Sequence, residues 1–314
     1  MKRLMSSPWL ALSLHLGSMV FGLLGLVFIL PNTAFIESLS EVGLQIFAFG
    51  MQSGGAVYMI FGAIAATIYG YHTLGLKRTL MFLLPAVGIS LTSELLGTST
   101  GFPFGAYSYL SGLGYKIAGL VPFTIPLSWF YVGFACVLLG STMLRSGDSV
   151  AKRALMIFFG ALMLTSWDFV LDPAMSQTPY PFWEWHQAGE FFGMPLQNFA
   201  GWMGTGATFM TVASLLWGKN QQPQLNRQQL VFPLAIYIAN FMFALILSTN
   251  AGFYIPVALG IVLGAVPAVA LWLMAPKAAD TVMVTTATVA VGSQPETSQP
   301  ANSQPEQPEA LSMR

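Results

Sequence analysis

Charge is what this sequence has least of. Lys and Arg number 12, Asp and Glu 12, together 8% of 314 residues with a formal net charge of zero. A soluble domain carries about 25% charged residues, so a water-covered globular fold is excluded. The balance of signs leaves no basic face, and no nucleic-acid partner is expected. Histidine is almost as scarce, with only His15, His72 and His186. Membrane di-iron oxygenases and desaturases need many histidines in paired clusters, and that chemistry is excluded too. The single cysteine, Cys136, lies within "YVGFACVLLG". It has no internal partner for a disulfide and reads as a packing residue. There is no CxxC pair, no zinc-ligand spacing and no nucleotide-binding glycine loop; "GLGYKIAG" has the wrong spacing and follows no strand.

What is present is apolar sequence, 55% of the chain, with mean hydropathy +0.66. Repeated runs long enough to cross a bilayer predict an all-α, polytopic integral membrane bundle rather than a barrel of short alternating segments. Eight spans are expected, at about 9–30, 48–71, 79–96, 127–145, 152–171, 198–217, 229–248 and 252–275. The first is too long for a signal peptide and lacks a small-residue cleavage site, so it is expected to be retained. A stretch at about 31–47, with Glu37 and Glu41, is expected to be an interfacial amphipathic helix. With both termini placed in the cytoplasm, eleven of the twelve Lys and Arg fall on the cytoplasmic side, Lys116 being the exception. That distribution satisfies the positive-inside rule. The expected division is a membrane-embedded catalytic domain over residues 1–275 and a cytoplasmic tail over 276–314. The tail's "SQPETSQPANSQPEQPEA" has nothing to bury and is expected to be disordered.

Two non-cytoplasmic connections, 97–126 and 172–197, are long and rich in Gly, Pro and aromatic residues. An interfacial aromatic belt would account for some of the rings. The loops are too apolar to be merely solvated, and segments lying in or re-entering the membrane around a cavity explain them better. Five acids belong to this outer half: Glu94, Asp168, Asp172, Glu184 and Glu190. Glu94 ends the third span and "TSWDFVLDPAM" ends the fifth, so Glu94, Asp168 and Asp172 share one depth. A charge within the bilayer costs at least ~2.5 kcal/mol, so intramembrane acids are functional by default. The bland alternatives are snorkelling, structural pairing with Asn198, Gln197 or Lys116, and, for Asp172 before Pro173, a helix stop. The Asp-x-x-x-Asp spacing also resembles half of an intramembrane prenyltransferase signature. A diphosphate site, however, needs further carboxylates and basic residues that this face lacks. The acids gather at one face only, which favours an enzyme acting on a lipid-dissolved substrate over a transporter with a midplane site.

"SELLGTSTGFPFGAYSYLSGLG", "VPFTIPLSWF", "SWDFVLDPAM" and "FFGMPLQNFAGW" resemble the membrane protein family of carotenoid biosynthesis that includes the cyanobacterial γ-carotene hydroxylase (a hydratase) and haloarchaeal bisanhydrobacterioruberin hydratase. The resemblance covers about residues 45–250, with motifs recurring in order. It implies addition of water across the terminal double bond of an acyclic ψ end group, giving a tertiary alcohol on the path to myxol-type or bacterioruberin-type xanthophylls. It implies as partners a carotene drawn from the bilayer and a downstream carotenoid glycosyltransferase, and a bacterial plasma or thylakoid membrane as the location.

The residues suit that chemistry. Protonating a trisubstituted alkene at its less substituted carbon leaves a tertiary carbocation that water captures, and no cofactor, metal or oxygen is required. A buried carboxylic acid beside a second carboxylate supplies the proton, aromatic faces stabilise the cation, and a base takes the proton from the attacking water. Asp168 and Asp172 are candidates for the acid and its partner, and Glu94 or Glu190 for the base. Trp167, Phe102, Phe104, Tyr107, Trp185 and Trp202 are candidates for the walls, His186 for a proton relay, and Asn198 for a substrate contact. The non-catalytic alternative is a membrane carotenoid- or lipid-binding or transport protein, which would hold pigment without changing it.

Overall fold

The computed structural model describes residues 7–144, 149–219 and 221–277. Among these, eight helices are long and apolar enough to cross a membrane. They are α1 (Pro8–Leu24, continued by a π-turn Gly25–Ile29), α3 (Glu41–Leu74), α4 (Leu76–Thr100), α5 (Thr124–Gly140), α6 (Val150–Ser176), α7 (Leu196–Trp217) and α8 (Val231–Asn250). The eighth is α9 (Tyr254–Gly260), which passes through a π-turn (Ile261–Ala265) into α10 (Val266–Met274). Each answers to one of the eight expected apolar runs. Arg145, Asp148 and the tail from residue 278 lie outside the described residues.

Three boundaries differ from the expectation. The stretch 31–47 is not one interfacial helix: a short α2 (Thr33–Glu37) is followed by a break, and Ser40 starts α3. The Ser40 hydroxyl accepts from the Gly43 amide at 3.2 Å, a serine N-cap that makes Glu41 the first residue of the second span. Helix α4 runs to Thr100, where Gly101 at φ +80° ends it. Helix α6 passes through Pro173 to Ser176. Proline removes one backbone hydrogen bond, and neighbouring helices tolerate that within a bundle. Asp172 is therefore an interior residue of α6 and does not stop it.

Helix α5 is almost wholly buried, packed on α3, α4, α6, α7 and α8. Polar side chains tie the bundle together near its middle, as hydrogen bonds do between membrane helices. His15 Nδ1 lies 2.7 Å from the Tyr58 carbonyl. A carbonyl only accepts, so Nδ1 carries the proton and Nε2 accepts from Asn240 Nδ2 at 3.1 Å. The Tyr131 hydroxyl donates to Asn240 Oδ1 at 3.1 Å, and α1, α3, α5 and α8 meet at this point.

The two aromatic loops pair with each other. Strand β1 (Tyr107–Tyr109) runs antiparallel to β4 (Trp183–Trp185), with Tyr107 opposite Trp185 and Tyr109 opposite Trp183. A hairpin of β2 (Lys116–Ile117) and β3 (Val121–Pro122) completes the first loop. The Phe182 amide donates to the Met175 carbonyl at 2.8 Å, fastening the second loop to α6. Side chains alternate along a strand, so the tyrosines and tryptophans share one face. On the other face Ser108 donates to Glu184 at 3.2 Å.

Phe104 is clamped between α4 and α7. A Cβ on Gly97 would stand 2.7 Å from the Phe104 ring; one on Gly201 would stand 2.5 Å from the ring and 2.9 Å from the Pro103 carbonyl. A backbone oxygen cannot move aside, so Gly201→Ala is expected to destabilise the protein by ~1–3 kcal/mol through overpacking. A lowered unfolding midpoint in detergent would check this.

Candidate active site

At the end of the bundle where α4 and α6 finish, a cavity of about 380 Å³ is lined by Glu94, Asp168 and Asp172 among aromatic and aliphatic side chains. Among the described residues, no Lys, Arg or His lines it. All three acids are buried, and each is held differently.

Glu94 is clasped by three donors. The Tyr107 hydroxyl donates to Oε2, the Tyr109 hydroxyl to the same oxygen at 2.8 Å, and Trp129 Nε1 to Oε1 at 2.9 Å. The two-residue step of β1 brings both tyrosines to one carboxylate, and Trp129 reaches it from α5. Burial, and then the nearby Glu94 carboxylate, pushes both phenols well above the usual tyrosine range. They remain donors across physiological pH.

Asp172 accepts at Oδ1 from the Ser176 hydroxyl at 2.8 Å and from Trp185 Nε1 at 3.0 Å, and the Trp183 indole adds a further hydrogen bond to the carboxylate. Asp168, one turn earlier on the same face of α6, accepts only from Asn198 Nδ2, at 2.7 Å to Oδ2. Its Oδ1 has no hydrogen-bond donor among the described residues, and it is the least engaged of the three carboxylates.

Indoles wall the acids in. Trp129 and Trp202 stack with centroids 3.9 Å apart, and Trp167 meets Trp202 edge-on at 5.9 Å. Trp167 is itself fixed by donating to the Asn240 carbonyl at 3.1 Å. Such faces carry the negative lobe of the ring quadrupole, suited to a passing cation. No group of three His, Cys, Asp or Glu among the described residues is placed to hold a metal ion.

Of the expected site residues, Glu94, Asp168, Asp172, Trp167, Phe104, Tyr107, Trp185, Asn198 and Trp202 all line this cavity. Three do not. Glu190 is exposed and accepts from the Leu196 amide at 3.4 Å, which puts it outside the cavity as a base. His186 is exposed, its amide bonded to the Ala106 carbonyl. Phe102 is 67% exposed. Its neighbour Phe104 fills the clamp, so the chain turns Phe102 outward.

Sequence reading missed Trp129, Tyr109, Phe182 and Trp183, which also line the cavity. Trp129 sits in an apolar run that reads as core. The alternation of "YSY" and "WEW" was the available signal for the paired strands.

Comparison with known proteins bears on this arrangement. A family profile described as "Carotenoid biosynthesis protein" matches residues 54–267, a stretch that contains all three acids and both paired loops. Bisanhydrobacterioruberin hydratase of Haloarcula japonica is 29% identical over 153 residues, 48% of this chain and 50% of that protein. The chain thus spans about half the length of the curated relative it matches. No solved structure matches. The profile covers well over half of the sequence, and the chain belongs to the carotenoid biosynthesis family of membrane proteins.

Proposed function

We propose that the protein is a membrane carotenoid hydratase that adds water across the terminal double bond of an acyclic end group, as in γ-carotene or a related carotene. The observation that carries this reading is three buried carboxylates in an apolar, indole-walled cavity that has no basic residue in its lining among the described residues. The family and a hydratase relative support it.

Asp168 in its acid form delivers the proton to the less substituted alkene carbon. The π pair forms the new C–H bond and leaves a tertiary cation on the adjacent carbon. Trp167, Trp202 and Trp129 face that charge. Water adds through its oxygen lone pair, and Asp172, the second carboxylate of the pair on α6, takes the proton released. Proton transfer back to Asp168 completes a cycle whose net change is one water added. Glu94 holds its two tyrosines and Trp129 in place and is a positioning residue; this replaces the role of base expected from sequence. The lack of a lining Lys or Arg among the described residues argues against a diphosphate substrate and so against a prenyltransferase.

The orientation with both termini in the cytoplasm follows from the basic residues and belongs to the same proposal. In a carotene-producing host grown without oxygen, the protein should convert carotene to a product heavier by one water. Unchanged carotene alone would favour a binding or transport protein, and product only in the presence of oxygen would indicate an oxygenase.

A further inference from the structure

Besides the residues around the acids, α1, α2 and the first half of α3 line the same cavity. One face of α1 supplies Phe21, Gly22, Gly25, Leu26 and Ile29, and one face of α3 supplies Gly43, Phe47, Gly50 and Gly54 at helical spacing. The cavity therefore has two unlike ends. Asp168 is 1% exposed and closes one. At the other, Phe21, Leu24, Phe35 and Ile46 line the cavity and are also 53%, 49%, 44% and 54% exposed on the outside of the bundle. Phe21 and Leu24 belong to the first span and Ile46 to the second, with Phe35 on the α2 connection between them, so that end opens sideways between two spans toward lipid.

The slot is made by missing side chains. A Cβ on Gly25 or on Gly54 would have no atom within 4 Å, although both residues line the cavity. Most glycines on close-packed helices answer to a neighbour, as Gly97 and Gly201 do. These two face empty space from opposite walls. Gly25 also opens the π-turn of α1, and π-turns within α-helices recur at functional sites. Where Phe21 crosses toward α3 it rests on Gly50, whose Cβ would lie 3.3 Å from the ring. A volume of about 380 Å³ lies within the range of small-molecule pockets, ~300–1,000 Å³.

We infer that the slot between α1 and α3 admits and seats the long apolar chain of the substrate, with Gly25 and Gly54 as specificity-determining positions that leave room for it. The reactive end group lies at the acids, and the chain runs out through the slot into the bilayer. This rests on the hydratase reading for the chemistry of the occupant. The family match begins at residue 54, so α1's share of the slot lies outside it.

The test uses full-length protein from a carotene-producing host and reads two quantities, carotene retained on purification by its visible absorbance and alcohol formed per protein. Retention tests the slot; alcohol formed by the wild type tests the hydratase reading. Gly25→Leu and Gly54→Leu should each lower retained carotene at least fivefold, with Gly25→Ala and Gly54→Ala falling between. Gly17→Leu, on the lipid-facing side of α1 where a side chain also meets nothing within 4 Å, should match the wild type. The unfolding midpoints of the leucine variants should not fall. Wild-type retention in both leucine variants would overturn the slot, as would a loss of pigment that tracks a lowered midpoint in the alanine and leucine forms alike. A wild type that retains carotene and forms no alcohol would overturn the hydratase reading and leave the slot standing.

Discussion

Asp168→Asn should reduce alcohol formation by roughly 10²–10⁴-fold, the range a general acid contributes, equivalent to ~3–5 kcal/mol of barrier. The substitution keeps the shape of the side chain, and an amide oxygen can still accept from Asn198 Nδ2, now 2.7 Å from Oδ2. Folding and carotene retention should therefore be preserved, and the loss should fall on turnover rather than on KM. Asp172→Asn keeps an oxygen acceptor for Ser176 and Trp185. It should also slow turnover, since an amide cannot accept the proton that water releases. Rates in detergent or lipid, set against the unfolding midpoint of each variant, check both. Full activity of Asp168→Asn would move the proton donor elsewhere.

Glu94→Leu should act differently, through the fold. Tyr107, Tyr109 and Trp129 each lose their acceptor in a buried site, and an unsatisfied buried donor costs ~1–3 kcal/mol. The sum is at least ~3 kcal/mol, concentrated where the first aromatic loop meets α4 and α5. Proteolysis in the 101–123 loop should quicken, and the unfolding midpoint should fall sharply. Glu94→Gln should be milder. With its oxygen toward the two tyrosines, its amide nitrogen would face the donor Trp129 Nε1, so about one bond is lost rather than three. A Leu variant as stable as the wild type would show that the clasp does not hold the loops. A Gln variant that folds normally yet loses all turnover would return Glu94 to the chemistry.

Much of this fold was legible because apolar runs in a charge-poor chain leave few alternatives. All eight spans fall on them, and topology alone brought Glu94, Asp168 and Asp172 to one depth. Hydrophobicity says less about what lies between spans. Strands β1 and β4 are three residues each, with Ser108 and Glu184 76 positions apart, and no turn signal links them. Glu190 resembled the other outer acids in sequence, yet a loop residue has no helical face to aim it inward, and it points away. The slot was illegible for a plainer reason. Its lining is glycine and aliphatic or phenyl side chains, indistinguishable in sequence from a surface facing lipid. Only the placement of α1 against α3 shows those faces turned toward the acids.

The central claim is that the new hydroxyl comes from water, delivered after protonation by a residue of this cavity. Purified protein given a carotene with an acyclic end in ¹⁸O-labelled water, under ordinary oxygen, should yield an alcohol carrying the label. In deuterated water one deuterium should appear on the carbon next to the carbinol carbon. Label incorporated from ¹⁸O₂ instead, with none from water, would contradict the account.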